Sequence, residues 1–141
     1  MSSPTQKPRS KAPRTAARAS TVVIGGDAER VACDYLASHG YRIVETNYRC
    51  KLGELDVVAE DRDGVLCFVE VRSRTRGPRD LGRPVETIGQ VKRRRIIRAD
   101  EQYIFTRQVD PERAMRFDVV GVIFEPNHVT LELIRDAFQT N

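Results

Sequence analysis

The most constraining feature of the sequence is a pair of short apolar segments, residues 53–59 and 65–72, separated by a polar turn. Both segments have the alternation and the β-branched content that predict β-strands. Each also carries a carboxylate where its pattern leads one to expect a hydrophobic residue, Asp56 in the first and Glu70 in the second. The fold must therefore accommodate two acidic groups within one β-hairpin.

The turn predicts the register of this hairpin. A three-residue loop over 62–64, with Gly64 in the left-handed conformation, places Asp56 directly across from Glu70. The period of two along a strand places Arg72 on the same face as Glu70. The charged groups of the hairpin are therefore expected to lie together.

Two carboxylates that face each other weaken a sheet. The predicted arrangement therefore indicates a bound cation, a shared proton or a different register. A further alternative is that both side chains face solvent on the polar face of the hairpin. Leu66 and Phe68 have the same parity as Glu70 and favour a face that is covered at one end.

The net charge of +4 is unevenly distributed, because residues 72–98 contain ten basic and two acidic residues, whereas residues 27–71 contain five basic and ten acidic residues. We expect this basic block to contact nucleic-acid phosphates. The alternative is a charged segment that only keeps the protein soluble. The candidate nucleic-acid-binding residues are Arg74, Arg76 and Arg79 in an irregular loop and Arg93, Arg94 and Arg95 in a helix.

Composition predicts a disordered basic tail over residues 1–20 and a single domain over residues 21–141. The tail is either an arm that adds salt-sensitive affinity for nucleic acid or a solvated extension, and its prolines argue against a transit peptide. No segment has the length and apolarity of a membrane span. Three widely spaced cysteines favour neither disulfides nor a thiolate zinc site, which is typical of a cytoplasmic protein.

Two amphipathic helices are predicted, at residues 27–39 and from about Thr87 to Phe105. Glu29 lies at the edge of the packed face of the first helix, where it is either a favourable N-terminal charge or part of a site. Lys92 is aligned with the buried face of the second helix. Its amine either extends past the sheet edge to solvent or reaches the carboxylates.

Three more strands complete the prediction. One begins at Tyr41 and is expected to end in a loop at Asn47. The near-continuous apolar run 116–124 predicts an interior strand, and alternation over 129–133 predicts an outer one. The order helix, three strands, helix, two strands predicts an α/β fold with a mixed sheet of about five strands flanked by helices.

Several linked motifs also carry a resemblance to a known family. They are Glu29, Gly53-Glu54-Leu55-Asp56 and Phe68-Val69-Glu70-Val71-Arg72, supported by Asn47-Tyr48-Arg49-Cys50, Gly82-Arg83-Pro84, Lys92, Arg116-Phe117-Asp118-Val119-Val120 and Ala137-Phe138. Over about residues 25–138 the chain resembles the YraN family of small bacterial proteins. That family is similar to the restriction-endonuclease-like fold of Holliday-junction resolvases, the PD-(D/E)xK nuclease superfamily.

The resemblance implies an Asp and a Glu that hold a divalent metal, a helix-borne Glu that completes the site, and a Lys two residues after the second acid. The corresponding positions are Asp56, Glu70, Glu29 and, in place of the lysine, Arg72. Mg²⁺ or Mn²⁺ is the implied cofactor, and oxygen ligands suit Mg²⁺. Such an ion would also cancel the repulsion between the two hairpin carboxylates.

Two positions depart from the family pattern. A guanidinium group does not deprotonate in a protein, so Arg72 cannot act as a general base, although it can clamp a phosphate. Lys92 could supply the missing amine if its helix places it at the carboxylates. Leu55 stands where many relatives have proline. The sequence therefore supports the nuclease fold better than nuclease activity.

Three functions remain open. The first is a Mg²⁺- or Mn²⁺-dependent nuclease acting on DNA, including branched or structured forms. The second is a nucleic-acid-binding module on an inactive nuclease fold, and the third is a protein-interaction subunit with a charged surface. The resemblance also implies a homodimer, since junction-cutting relatives commonly pair.

Overall fold

The computed structural model describes residues 25–75 and 90–138. The predicted tail at 1–20 lies outside the described residues, as do Arg76, Arg79 and Thr87. The described part contains α1 (Gly25–Ser38), β1 (Arg42–Cys50), β2 (Gly53–Glu60), β3 (Leu66–Thr75), α2 (Gln90–Thr106), β4 (Met115–Phe124) and β5 (Val129–Ile134). This is the order of elements predicted from the sequence.

The five strands form one mixed sheet in the order β1-β2-β3-β4-β5. The pair β3–β4 is parallel, and the other three neighbouring pairs are antiparallel. Two parallel neighbours cannot be joined by a tight turn, so the chain crosses over between them through α2. The predicted α/β class with a mixed sheet of about five strands is confirmed.

The β2–β3 hairpin has the predicted register. Val57 lies opposite Val69, and the Asp61 amide donates to the Val65 carbonyl at 3.0 Å, at the base of the turn. Gly64 has a φ of 85°, the left-handed conformation that a three-residue hairpin loop requires. Local turn chemistry therefore determined which residues of the two strands face each other.

Strand β1 is longer than the sequence indicated, since it continues through Asn47 as far as Cys50. Asn47 has a φ of 52°, and asparagine adopts this left-handed region more readily than most residues. Thr46 and Tyr48 on either side of it remain paired with β2. The expectation of a loop at Asn47 was wrong because pairing to β2 continues past one unusual backbone conformation.

A separate apolar core lies on each face of the sheet. One core contains Ala28, Ala32, Tyr35 and Leu36 of α1 with Val57, Val69 and Val120 of the sheet. The other contains Ile96, Ala99 and Tyr103 of α2 with Val58, Phe68, Phe117 and Val119. Strand β4 contributes to both cores, as predicted for an interior strand, and β5 forms the edge of the sheet. The two helices are thus fixed on opposite faces of the same strands.

The ends of the helices follow local signals where the structure describes them. Gly40 follows α1 with a φ of 92°, a left-handed conformation that commonly terminates helices, and this confirms the predicted stop. Helix α2 has 17 described residues and carries four consecutive basic residues from Lys92 onward. Within the described segments, neither helix combines the length and the apolarity that crossing a membrane requires.

A buried polar network lies around Arg116 of β4. The guanidinium Nε and Nη2 donate to the two oxygens of Asp118 at 2.8 and 3.0 Å, and Nη1 donates to Asp61 at 2.9 Å. Nη2 also donates to the Tyr41 hydroxyl at 3.2 Å, and the Asp136 amide donates to Asp118 at 2.9 Å. The network joins the turn end of the β2–β3 hairpin to β4, the start of β1 and the segment after β5.

Candidate functional site

The carboxyl groups of Asp56 and Glu70 meet at the open end of the β2–β3 hairpin. Val57 and Val69 are the last paired residues of the ladder, so Asp56 and Glu70 occupy the next facing positions. The Val71 amide donates to Asp56 Oδ2 at 2.9 Å, and the two carboxyl groups share a side-chain hydrogen bond. The structure therefore shows the predicted register, with the two carboxyl groups close enough to share a proton or a cation.

Burial is the main cause of the perturbed acidity of this pair. It raises the pKa of Glu70 to about 7, and the neighbouring charge of Asp56 acts in the same direction, against the Lys92 ammonium. Burial also raises the pKa of Asp56, although the hydrogen bond from Val71 opposes this. Near neutral pH the pair thus holds a proton that a cation could replace.

Lys92 reaches the carboxylate pair from the N-terminal part of α2. Its Nζ lies 2.9 Å from Glu70 Oε2, with the lysine side chain 54% exposed and the glutamate side chain 7% exposed. The helix is anchored one turn later by Ile96, which is buried in the core, and this places the lysine over the end of the sheet. The structure therefore shows the alternative in which Lys92 reaches the carboxylates.

Glu29 of α1 is close enough to Asp56 to feel its charge. Burial raises its pKa, as does the charge of Asp56, whereas a side-chain hydrogen bond with Asn47 lowers it. Among the residues that the structure describes, no three His, Cys, Asp or Glu side chains are grouped so that they could hold a metal ion. Glu29 therefore influences the pair electrostatically but does not form a three-carboxylate cluster with it.

The pair opens into a cleft of about 510 Å³ between the β1–β2 turn and α2. Basic side chains on both sides line this cleft, namely Arg49 and Lys51 from the turn and Lys92 and Arg95 from the helix. Sequence reasoning did not single out Arg49 or Lys51. The available signal was their position immediately before the carboxylate strand, where a tight turn brings both into the site.

Arg72 follows Glu70 by two residues on the same strand. It is half-buried on β3 and lies opposite Gly121 of β4. Among the described residues that line the cleft, Arg72 is not included, whereas Lys92 is. The amine at the carboxylates is thus supplied by α2 and not by the residue two positions after Glu70.

The predicted nucleic-acid-binding arginines are found in different environments. Arg94 and Arg95 are exposed, and Arg95 lines the cleft. Arg93 is half-buried, with its guanidinium carbon 5.5 Å from the centre of the Phe138 ring. Arg74 is half-buried near the end of β3. Arg76 and Arg79 lie outside the described residues.

These observations define a small mixed α/β protein with two facing carboxyl groups at the end of a hairpin and a cleft beside them that basic side chains line. Comparison with known families places residues 28–122 in Uncharacterised protein family UPF0102. The chain belongs to this family, which is the family that includes YraN. The family resemblance expected from the sequence is therefore confirmed.

Individual relatives extend the match over most of the chain. A UPF0102 protein of Chromohalobacter salexigens is 45% identical over 116 residues, covering 81% of this chain and 89% of the relative. A UPF0102 protein of Syntrophus aciditrophicus is 43% identical over 111 residues, covering 79% and 84%. A third, from Desulforamulus reducens, is 42% identical over 101 residues, covering 72% and 81%. The similarity to these relatives thus covers between 72% and 81% of this chain.

Proposed function

We propose that this protein is a Mg²⁺- or Mn²⁺-dependent phosphodiesterase that cleaves DNA as an endonuclease, with branched or structured DNA as its substrate. The observation that carries the proposal is the facing pair Asp56 and largely buried Glu70, which opens into a cleft lined by basic side chains. Facing carboxylates destabilise a sheet unless something neutralises them. A site that retains this arrangement is suited to a ligand that provides positive charge.

The donor atoms fit a divalent metal. Mg²⁺ takes oxygen ligands and is commonly held by one or two carboxylates together with water and substrate phosphates. Asp56 and Glu70 provide such a pair, and the Val71 amide already fixes one oxygen of Asp56. Glu29 would take part through a bound water, since it forms no cluster of three with them. The metal would polarise the phosphodiester and activate a water molecule.

The side chains around the pair have separate roles in this proposal. When Glu70 binds a cation, Lys92 loses its ion-pair partner and becomes available to a phosphate oxygen or to the attacking water. Arg49, Lys51 and Arg95 contact the phosphates on either side, which positions the nucleic acid without reading its sequence. Arg72 clamps a phosphate beyond the cleft in bidentate fashion.

The proposal includes a restriction-endonuclease-like fold. It is supported by the mixed sheet with a helix on each face and by the position of the acidic pair on consecutive strands. In this fold class the acidic pair would hold the metal and α2 would approach the scissile phosphate. Lys92 would then take the place of the lysine that the family pattern puts at Arg72.

Metal titration by calorimetry tests the site directly. We expect the wild-type protein to bind Mn²⁺, and Asp56→Asn and Glu70→Gln to weaken this binding by about tenfold or more. Glu54→Gln is a matched control, because Glu54 is an exposed carboxylate lining the same cleft. Binding should tighten between pH 6 and pH 8, since the proton on Glu70 must leave. Absence of any divalent binding at pH 8 would overturn the proposal.

A cleavage assay then tests activity. Wild-type protein with Mn²⁺ should cleave a branched DNA, and Asp56→Asn and Lys92→Ala should each remove most of the cleavage. Arg72 stands where the family pattern has lysine and cannot act as a general base, which favours a second candidate, a DNA-binding module without turnover. Binding of DNA and metal with no cleavage of several substrates by either Mg²⁺ or Mn²⁺ would establish that candidate.

A further inference from the structure

The tip of the β1–β2 turn presents an apolar side chain at the edge of the cleft. Leu52 is 46% exposed and lines the same cleft as the carboxylate pair. Single exposed hydrophobic residues are common on protein surfaces and need no explanation by themselves. Leu52 differs in its surroundings. Basic Lys51 precedes it, and the cleft that it lines also contains Asp56 and Glu70, the proposed catalytic pair.

The turn that carries Leu52 is seated firmly on α2. Cys50 and Gly53 pair across the turn, so only two residues separate the strands. A Cβ atom added at Gly53 would lie 2.7 Å from the Arg95 carbonyl oxygen, which means that the turn packs directly on the helix backbone. Leu52 is therefore held at a defined place and is not carried on a long loop.

The charges around Leu52 suit a polyanion. Lys51 precedes it, and Arg49 and Arg95 line the cleft on either side of the turn. Arg49 has an ion pair with Glu54 at 3.4 Å, but both side chains are largely exposed, so this pair neutralises it only weakly. An apolar tip with cations on both sides matches a nucleic acid, in which apolar base faces lie between charged backbones.

We propose that Leu52 inserts between bases at a discontinuity in the DNA that the cleft holds and keeps the two flanking base pairs apart. Apolar side chains inserted into base steps are a known way for proteins to unstack and kink DNA, and a step that is already interrupted is the least costly to open. The insertion rests on the proposed function, since DNA must occupy the cleft. It adds that the protein selects interrupted base stacks.

The test uses the full-length protein and a three-way DNA junction with 2-aminopurine at the branch point, in buffer with Ca²⁺ in place of Mg²⁺. Binding of the wild-type protein should increase the 2-aminopurine fluorescence, because the base becomes unstacked. Leu52→Ala should remove most of this increase and weaken junction binding by about tenfold. Leu52→Phe should retain both effects, since it keeps an apolar side chain at the tip.

Two exposed hydrophobic residues provide matched controls. Val44 is 39% exposed and Phe105 is 80% exposed, and neither lines the cleft. Val44→Ala and Phe105→Ala should leave the fluorescence change and the affinity as in the wild type. Thermal unfolding of each variant checks that the fold is intact.

The outcomes separate this inference from the proposed function. If Leu52→Ala retains the fluorescence change and the affinity, the insertion is wrong, even where metal binding and cleavage are present. If the fluorescence change depends on Leu52 but calorimetry detects no metal, the insertion stands and the proposed catalysis falls. If labelled polyglutamate binds as tightly as the junction and shows the same loss in Leu52→Ala, the surface recognises an acidic protein, which overturns the insertion.

Discussion

Two polar clusters lie at opposite ends of the β2–β3 hairpin, and they use the same acidic residue types differently. At the turn end, Asp61 and Asp118 share the guanidinium of Arg116. At the open end, Asp56 and Glu70 face each other with one half-exposed lysine beside them. The acidic groups at the turn end have a largely buried cation and a structural role, whereas those at the open end have only a half-exposed lysine and are the ones that we propose to bind a ligand.

The pKa values express this difference. Burial alone would raise the pKa of Asp61, but hydrogen bonds from the Val65 amide and Arg116 outweigh it and lower the pKa. At the open end burial prevails, and the pKa of Glu70 rises to about 7. Asp61 is therefore ionised and hydrogen-bonded at neutral pH. Glu70 at the open end, with a pKa of about 7, can release its proton near neutral pH and take another ligand.

The largest effect is expected from breaking the cluster at the turn end. Arg116→Ala leaves Asp118, which is 0% exposed, without its cation and should cost about 3–5 kcal/mol of unfolding free energy. Urea denaturation measures this change. Arg116→Lys keeps the charge but loses the bidentate contact, so it should lower the free energy of unfolding by less. It replaces Arg116→Ala in the measurement if the alanine variant does not fold.

A surface pair provides the control for this prediction. Arg42 contacts Glu60 at 2.9 Å with an arginine side chain that is 68% exposed, and Arg42→Ala should cost less than about 1 kcal/mol. Equal losses in Arg116→Ala and Arg42→Ala would contradict the structural role assigned to the buried network.

A smaller effect of opposite sign is expected at the open end. Because the pKa of Glu70 is raised on folding, the folded protein binds more protons than the unfolded chain between about pH 4.3 and pH 7, and stability falls as pH rises through this window. A glutamine at position 70 cannot ionise, so Glu70→Gln avoids this loss of stability. The variant should be more stable than the wild type at pH 8, by on the order of 2 kcal/mol.

Urea denaturation in EDTA at pH 5 and pH 8 measures that pH dependence. Burial also raises the pKa of Asp100 in α2 to about 7, so Asp100 should supply part of the slope that remains in Glu70→Gln. A Glu70→Gln variant with the same pH dependence as the wild type would show that the pair does not hold a shared proton.

The smallest effect is expected from one neutral member of the cluster at the turn end. The Tyr41 hydroxyl accepts a hydrogen bond from Arg116 and lies 3.4 Å from an oxygen of Asp118. Tyr41→Phe should cost about 0.5–1.5 kcal/mol, because the charged groups retain their main contacts. Combining it with Arg116→Lys should give a non-additive loss, since both residues belong to one network.

Much of the fold could be predicted because its signals are local. The left-handed Gly64 and the alternation on either side of it determine the hairpin register, and apolar spacing determines the buried faces of α1 and α2. Asn47 was misread because pairing with β2 overrides a residue that usually marks a turn. The network of Arg116 was not predicted from the sequence, since two of its partners, Asp61 and Tyr41, lie 55 and 75 residues earlier in the chain.

The candidate site was predictable only in part, because some of its residues are brought together by packing between elements that are distant in the sequence. The position of Asp56 across from Glu70 follows from turn geometry, and Lys92 follows from helical spacing once Ile96 is known to be buried. The basic turn with Arg49 and Lys51, and the position of Arg72 outside the cleft, depend on how β1 and α2 pack at the end of the sheet. No local pattern encodes that packing.

The sequence by itself determined the order of the elements, the amphipathic faces and a hairpin that must hold two facing carboxylates. Only the tertiary structure decided which carboxylates receive a counter-charge. Arg116 lies beside Asp118 on β4 and reaches Asp61 because β4 pairs with the hairpin strand β3, whereas Asp56 and Glu70 receive half-exposed Lys92 from α2. The physical reason is that a carboxylate's state depends on burial and on nearby charge, and folding determines both.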